Sequence, residues 1–195
     1  MDASAINRHD DYVNELRKIK RDGIEELIKW LEDSDFFKAP ASTVYHGNVE
    51  GYLASHSLMV GLIGEKMYKM HSKKMIDIPP NTFLLVGLLH DLCKVNCYIP
   101  DTRNVKNKEN SKWEQIPTYK YEEQNFYGHG FASVKIASRF IKLTETEERM
   151  IAYHMGHFEV GEKAWYSCIE KFPECLIIHT ADLQSMIYEP IIKLW

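Results

Sequence analysis

The chain has 195 residues, of which 45% are hydrophobic and 27% charged, and this ordinary composition excludes a wholly disordered protein. Its 24 basic and 28 acidic residues give a net charge of -4, which disfavours a protein that coats nucleic acid non-specifically. The longest apolar run, Phe83 to Leu89, is too short to span a membrane, so we expect no membrane partner. The polar start and only four cysteines favour a cytoplasmic protein without a disulfide framework.

Apolar residues recur at helical spacing in the first half of the chain. The pattern predicts a weak helix through residues 13–19, a stronger one through 24–31 and a third through 53–67. A fourth helix is predicted from Thr82 to about Val95. Because its first half is apolar on all sides, we expect this helix to lie in the centre of a bundle.

The pattern changes between residues 96 and 125. Cys97-Tyr98-Ile99 and the stretch from Trp113 to Tyr121 are rich in aromatic and β-branched residues, and they flank a polar tract from Asp101 to Lys112. These features predict a β-hairpin or long ordered loop inserted into a helical domain.

Helical patterns then resume, with predicted helices over 130–142, from a capping box at Thr144 and Glu147 to about Met155, over 162–171 and over 174–188. The sequence therefore predicts an all-α fold with a small inserted hairpin. We expect a single domain over residues 1–195 with its core at about 34–188.

Several polar side chains lie on or beside the apolar stripes of the predicted helices: His56, His90, Asp91, His154 and Asp182. Any one of these histidines alone is explained as a hydrogen-bonded core or capping residue, and Asp182 alone as a capped or hydrogen-bonded aspartate. Burying carboxylates is unfavourable unless they are paired or bind a metal. Taken together, these residues indicate a buried cation.

The spacing of His56, the pair His90-Asp91 and Asp182 resembles the H…HD…D signature of the HD superfamily of metal-dependent phosphohydrolases. The stretches 34–43 and 46–56, Gly128-His129-Gly130 and residues 151–156 are similar to motifs of a bacterial and phage subgroup of HD hydrolases. The similarity extends over about residues 34–186.

The resemblance implies a divalent metal ion held by two imidazoles and two carboxylates, those of His56, His90, Asp91 and Asp182. Such donors suit Mn²⁺, Fe²⁺, Ni²⁺, Zn²⁺ or Mg²⁺. In two-metal relatives the second ion would be held by Asp91, His129 and His154. With one ion, His129 and His154 are free to bind phosphate or protonate the leaving oxygen.

The same resemblance makes Asp91, Lys94, His129 and His154 the candidate catalytic residues. Lys94 follows Asp91 by three residues, so it could hold a substrate phosphate or be a solvated lysine at a helix end. Ser42, Thr43 and His46 offer donors for a phosphate or ribose, or else belong to a loop that introduces the next helix.

Other polar residues near these motifs have simpler interpretations. Cys93 and Cys97, four residues apart, could bind metal but are more often buried thiols. His157 and His179 each lie about one helical turn from a proposed ligand and could support it.

The leading hypothesis is a metal-dependent phosphohydrolase of the nucleotidase or phosphodiesterase class. Its substrate would be a nucleotide, another small phosphoester or a short single-stranded oligonucleotide. The subgroup usually carries Glu-Lys after Gly-His-Gly, whereas this chain has Phe131-Ala132. That departure favours, as the alternative, a metal-containing nucleotide-binding or sensing protein with little turnover. A purely structural helical protein would leave Asp91 and Asp182 unexplained.

Overall fold

The protein folds as a bundle of helices from which one two-stranded hairpin extends. The computed structural model describes residues 7–43, 47–70, 78–107, 111–124 and 127–192, and side chains up to 187. The helices are α1 (His9–Lys18), α2 (Ile24–Asp33), α3 (Tyr52–Met70), α4 (Thr82–Leu89), α5 (His129–Ala137), α6 (Glu145–Ala152), α7 (His157–Val160), α8 (Glu162–Lys171) and α9 (Glu174–Ile192). The strands are β1 (Tyr98–Lys106) and β2 (Trp113–Tyr121). The predicted all-α class with an inserted hairpin is therefore confirmed.

Helix α4 is the centre of the bundle, as its uniformly apolar sequence predicts. All eight of its residues are buried, and it packs against α1, α3, α5, α6 and α9. Helix α3 contacts both α4 and α9. The approach of α3 to α4 is very close, since a Cβ atom added to Gly87 would lie 2.2 Å from the backbone nitrogen of Gly61.

Helix α4 ends earlier than the sequence predicts. The pattern predicts a continuation to about Val95, but the helix stops at Leu89, and residues Leu92–Lys94 form a 3₁₀ turn. The backbone N–H of Cys93 donates to Ser133 Oγ at 3.1 Å, whereas Lys94 and Val95 donate to carbonyls three residues back. The α-helical hydrogen-bond pattern is thereby replaced at His90-Asp91.

The N-terminal helices secure this end of α4. Tyr12 in α1 is fully buried, and its hydroxyl donates to the carbonyl oxygen of Leu88 at 2.5 Å. Elsewhere Arg21 forms a bidentate ion pair with Glu147, whose side chain is buried and also completes the capping box with Thr144. These polar contacts fix the elements that surround the His90-Asp91 turn.

Several later helices differ from their predicted bounds. Helix α5 ends at Ala137 rather than at 142 because residues 138–141 form turns, and α6 ends at Ala152 rather than Met155. Gly156 follows α6 with φ +63°, and an added Cβ would lie 2.7 Å from the ring of His179. The short helix α7 was not predicted, while α9 continues to Ile192 instead of 188.

The hairpin is longer than its apolar sequence indicates. β1 and β2 pair antiparallel from Tyr98 opposite Tyr121 to Lys106 opposite Trp113, so the first part of the polar tract is a strand. The residues of β1 from Ile99 onward are exposed, as is Trp113 at the far end of β2. Backbone pairing, not burial, therefore forms this segment. Among the residues that the structure describes, no helix is both long and apolar enough to cross a membrane.

Replacing Gly87 by alanine should disrupt the close contact between α3 and α4. We expect Gly87→Ala to destabilise the fold by about 1–3 kcal/mol, measured by urea unfolding, because the methyl group would overlap the backbone of Gly61. Gly64→Ala in α3 is the matched control, since its Cβ would make ordinary contacts at 3.4 Å or more. The control should be neutral or up to about 1 kcal/mol more stable. Equal unfolding midpoints for the two variants would contradict this packing.

Candidate metal centre

Three segments bring the four predicted metal-binding side chains to one buried point. His56 lies in α3, His90 caps α4, Asp91 follows it, and Asp182 lies in α9. The side chains of His90 and Asp91 are 0% and 1% exposed, and that of Asp182 is 15% exposed. The site therefore forms where the apolar α4 ends among its neighbours.

The first group of ligand atoms comprises His56 Nε2, His90 Nε2 and Asp182 Oδ1. The two nitrogens are 3.2 Å apart, and Asp182 Oδ1 lies 3.2 Å from His56 Nε2 and 3.9 Å from His90 Nε2. Two imidazole nitrogens bound tetrahedrally to one zinc-sized ion would be about 3.3 Å apart. Asp91 Oδ2 lies 3.5 and 3.4 Å from the same nitrogens. His56, His90 and Asp182 thus have the donor atoms and the spacing for one divalent ion, and Asp91 Oδ2 adjoins the two histidines of this group.

The histidines are oriented by hydrogen bonds from their outer nitrogens. His90 Nδ1–H donates to the carbonyl of Gly87, and His154 Nδ1–H to that of Ile151, both at 2.7 Å. The hydroxyl of Ser185 donates to the carbonyl of Asp182 at 2.7 Å, so its oxygen can accept from His56 Nδ1–H at 2.9 Å. With these hydrogen bonds holding Nδ1–H, each Nε2 faces the centre and would present its lone pair to a bound metal ion.

A second group joins His154 to His90 and Asp91. His154 Nε2 and Asp91 Oδ1 lie 3.7 Å apart, and both atoms are buried without a hydrogen-bond partner among the described residues. Buried polar atoms are normally satisfied, so two unsatisfied acceptors that face each other need a donor or a cation. A divalent metal ion fits this requirement.

The charges around the centre also favour a cation. Burial acts to lower the pKa of His56, but hydrogen bonds to Asp182 and Asp91 outweigh it and raise that pKa to about 9. Burial acts to raise the pKa of Asp182, yet the neighbouring histidines hold it well below its usual range. Burial and the charge of His90 lower the pKa of His154 to about 4, so this imidazole stays a neutral ligand. Burial also acts to raise the pKa of Asp91, but Lys94 and the imidazoles hold it well below its usual range, so both carboxylates are ionised in a largely buried place.

Lys94 is placed by the 3₁₀ turn directly beside Asp91. Its ammonium group lies 2.7 Å from Asp91 Oδ2 and donates to the carbonyl of Ala41 at 3.3 Å. Burial would lower the pKa of Lys94, but the charge of Asp91 raises it well above its usual value. The sequence pattern offers few inward basic residues, and Lys94 is an inward one that partly neutralises the centre.

The loop before α3 reaches the same place. The carbonyl of Ala41 accepts from both Lys94 and the hydroxyl of Tyr98, and the carbonyl of Thr43 accepts from Thr118 Oγ1. Ser42 lies between these two anchored residues, so the loop adjoins Lys94 and the hairpin. The predicted contact residue His46 lies outside the described residues.

His129 begins α5 and is half-buried at the edge of the centre. It belongs to a third group, with Asp91 and Cys93, and its Nδ1 lies 3.4 Å from Cys93 Sγ. Its ring stacks on that of Tyr121 with 6.1 Å between centroids. The predicted set of Asp91, His129 and His154 is thus divided, since the two histidines fall in different groups around Asp91.

Some supporting residues were not identified from the sequence. Ser185 orients His56, and Ser133 holds the His90-Asp91 turn through the N–H of Cys93. Ser185 follows Asp182 by three residues, which places both on one side of α9 and is the signal that could have identified it. His179 supports His154 by donating to its carbonyl at 2.7 Å, whereas His157 is exposed.

The HD domain family model matches residues 53–186, which is more than half of the chain. The chain belongs to the HD domain family. Comparisons with curated proteins and with solved structures found no match. Proteins of the HD domain family are generally metal-dependent hydrolases, and the three groups of ligand atoms in this centre agree with that activity.

Removing the Ser185 hydroxyl should weaken metal binding without changing a ligand. We expect Ser185→Ala to lower the affinity for the first divalent ion by about 10- to 100-fold, measured by titration calorimetry, because His56 loses the partner that fixes its orientation. Ser57→Ala is the matched control, since Ser57 is also buried beside His56 and its Oγ has no described partner. If both variants bind the ion as tightly as the unmodified protein, Ser185 does not orient a ligand.

Proposed function

We propose that this HD domain protein hydrolyses a phosphomonoester or phosphodiester of a nucleotide or short oligonucleotide. The observation that carries the proposal is the convergence of Nε2 atoms of three histidines on two carboxylates, with the Nδ1 of each of the three already hydrogen-bonded. A purely structural cluster would not need unsatisfied acceptors such as Asp91 Oδ1 and His154 Nε2. Manganese, iron, nickel, zinc and magnesium remain the candidate ions.

His56, His90, Asp91 and Asp182 would hold the ion, with Asp91 available to a second one. When bound, a divalent ion supplies a water of lowered pKa and screens the phosphate oxygens. Asp91 could contact both ion positions, because its Oδ2 faces His56 and His90 while its Oδ1 faces His154. Loss of Asp91 would therefore disrupt the one-ion and the two-ion arrangement alike.

His154 and His129 have separate tasks in this proposal. His154 is buried and neutral, which suits a ligand or a group that positions the phosphate. His129 is half-buried at the edge, where with one ion bound it would protonate the leaving oxygen and with two ions bound it would be a ligand. This division follows from their membership of different ligand groups.

Lys94 would bind a substrate phosphate. Its ammonium group lies between Asp91 and the carbonyl of Ala41, both of which are acceptors. A dication bound at Asp91 would repel this ammonium unless an anion lies near both. The substrate phosphate is such an anion, and Ser42 and Thr43 of the adjoining loop would add donors to it.

The hairpin supports a substrate that carries a base. Where β1 and β2 leave the bundle, the ring of Tyr98 contacts the rings of Tyr119 and Tyr121. The ring of Tyr121 also stacks on that of His129. Aromatic side chains beside a phosphate site stack well on nucleobases. Arg103 and Lys106 lie further along the exposed strand β1 and would attract a longer anionic substrate. The sequence expectation of a cytoplasmic protein agrees with such substrates.

A second candidate is a nucleotide-binding protein with little turnover. Phe131 and Ala132 replace the usual Glu-Lys pair, and Phe131 is 48% exposed in contact with Tyr153. An aromatic surface of this kind could hold a base without assisting hydrolysis. Activity measurements distinguish the two candidates.

Hydrolysis of bis-p-nitrophenyl phosphate in the presence of Mn²⁺, Mg²⁺, Ni²⁺ or Zn²⁺ tests the proposed function directly. We expect turnover that is abolished by a chelator and restored by adding the ion. Asp91→Ala should lose both the bound metal and the activity, whereas Asp101→Ala on the exposed hairpin should keep both. Metal-loaded protein without turnover on this and nucleotide substrates would favour the binding protein. Full metal content in Asp91→Ala would refute the ligand assignment.

Lys94→Ala should separate substrate binding from metal binding. We expect it to retain the metal, because a repelling cation is removed, but to lose about 2–4 kcal/mol of transition-state stabilisation in kcat/KM. Lys94→Gln should recover little of that loss. Lys69→Ala, an exposed lysine paired with Glu65, is the control and should be unchanged. An unchanged kcat/KM in Lys94→Ala would mean that the loop or the hairpin, and not Lys94, binds the phosphate.

A further inference from the structure

Cys93 has a neighbour that its sequence context did not indicate. The four-residue spacing between Cys93 and Cys97 predicts that both are buried thiols. In the folded chain, Cys93 Sγ lies 3.4 Å from His129 Nδ1, and these two atoms form a ligand-sized group with Asp91. Cys97 differs, since its Sγ donates to the carbonyl oxygen of Cys93 at 3.2 Å. The two cysteines therefore have different surroundings.

We propose that Cys93 is a thiolate ligand to a second metal ion, held together with Asp91 and His129. This inference rests on the proposed function, because Asp91 would be shared with the first ion. Coordination replaces the S–H bond of Cys93 by a sulfur–metal bond, and the released proton leaves to solvent.

The spacing of the group matches a metal site. With a metal–sulfur bond of about 2.3 Å and a metal–nitrogen bond of about 2.0–2.1 Å, tetrahedral geometry places sulfur and nitrogen about 3.5 Å apart. The observed separation of Cys93 Sγ and His129 Nδ1 is 3.4 Å. Only small movements would therefore be needed to bind an ion.

Two further observations point to a ligand at this position. Asp91 is 1% exposed, and its Oδ1, which lies 3.7 Å from His154 Nε2, has no hydrogen-bond partner among the described residues, so the shared carboxylate can still accept from a cation. The backbone of Cys93 is also fixed, because its N–H donates to the buried Ser133 Oγ. Fixed ligands favour metal binding because little ordering is needed when the ion arrives.

His129 is the one described histidine of the centre whose Nδ1 faces a sulfur rather than an oxygen acceptor. His90 and His154 donate from Nδ1 to backbone carbonyls, and His56 Nδ1 contacts a serine hydroxyl. Cys93, the partner of His129, gives this edge of the centre a softer ligand atom than those of His56 and Asp182. Thiolate ligands favour Zn²⁺ and other borderline or soft ions over Mg²⁺ and Mn²⁺. The second site should therefore select Zn²⁺ over Mg²⁺ and Mn²⁺ more strongly than the first site does.

Cobalt titration of the full chain tests this assignment. After metal removal, Co²⁺ alone is added and the near-ultraviolet charge-transfer band of a cobalt–thiolate bond is recorded. We expect the band to grow with the second equivalent of Co²⁺. Cys93→Ser should lose the band and bind the second ion at least about 10-fold more weakly, since loss of a supporting partner alone costs about 10- to 100-fold. Cys97→Ser is the matched control and should keep the band.

X-ray absorption of the zinc-loaded, unmodified protein gives a readout that needs no variant. We expect one sulfur atom at about 2.3 Å from the zinc ions that occupy the second site. Absence of sulfur around zinc, or a cobalt band that persists in Cys93→Ser, overturns the proposal and makes the contact with His129 an ordinary thiol hydrogen bond.

The outcome is separate from that of the proposed function. Hydrolysis of bis-p-nitrophenyl phosphate without any sulfur signal would reject Cys93 as a ligand and leave the phosphohydrolase intact. A sulfur signal without hydrolysis of any phosphoester would retain Cys93 as a ligand and reject the phosphohydrolase.

Discussion

The structure of the centre depends on the burial of Asp91, a carboxylate placed where the most apolar helix of the bundle ends. Removing such a charge from water is very unfavourable unless opposite charges surround it. Lys94 provides one such charge at 2.7 Å, and the imidazoles of His56 and His90 lie within 3.5 Å of the same oxygen. The other oxygen, Oδ1, has no described partner. The surrounding helices therefore supply only part of what this carboxylate needs, and a divalent ion would supply the rest.

The end of α4 makes this arrangement geometrically feasible. If the α-helix continued beyond Leu89, the N–H of Cys93 would donate within the helix, and Asp91 and Lys94 would be offset by about 60° around the axis. In a 3₁₀ turn, residues three apart are aligned, so Lys94 lies directly over Asp91. Ser133 stabilises that turn by accepting from Cys93, and Tyr12 fixes the preceding carbonyl of Leu88. Two distant helices, α1 and α5, thereby determine a local change of backbone at the centre.

The sequence was informative about the helices and the metal-binding residues, because apolar periodicity and inward polar residues reflect burial. The central position of α4, the capping box at Thr144 and the inserted hairpin could be predicted from these patterns. The early end of α4 could not, since it depends on a hydrogen bond that Cys93 N–H donates to Ser133, 40 residues away in α5. For the same reason Ser185 and the pairing of Cys93 with His129 were not identified, because both contacts connect distant segments.

The contacts of Ala41 connect the metal centre to the surface that would meet a substrate. Its carbonyl accepts from Lys94, which pairs with Asp91, and from Tyr98, which begins the hairpin. A phosphate that drew the Lys94 ammonium away from Asp91 would weaken the contact with Ala41, leaving Tyr98 as the remaining described donor to that carbonyl. Because Tyr98 also contacts Tyr119 and Tyr121, the aromatic cluster would keep its position while Lys94 turned to the phosphate. In the proposed function the hairpin would thus provide a surface for a base, while Lys94 beside it would bind the phosphate of the same nucleotide.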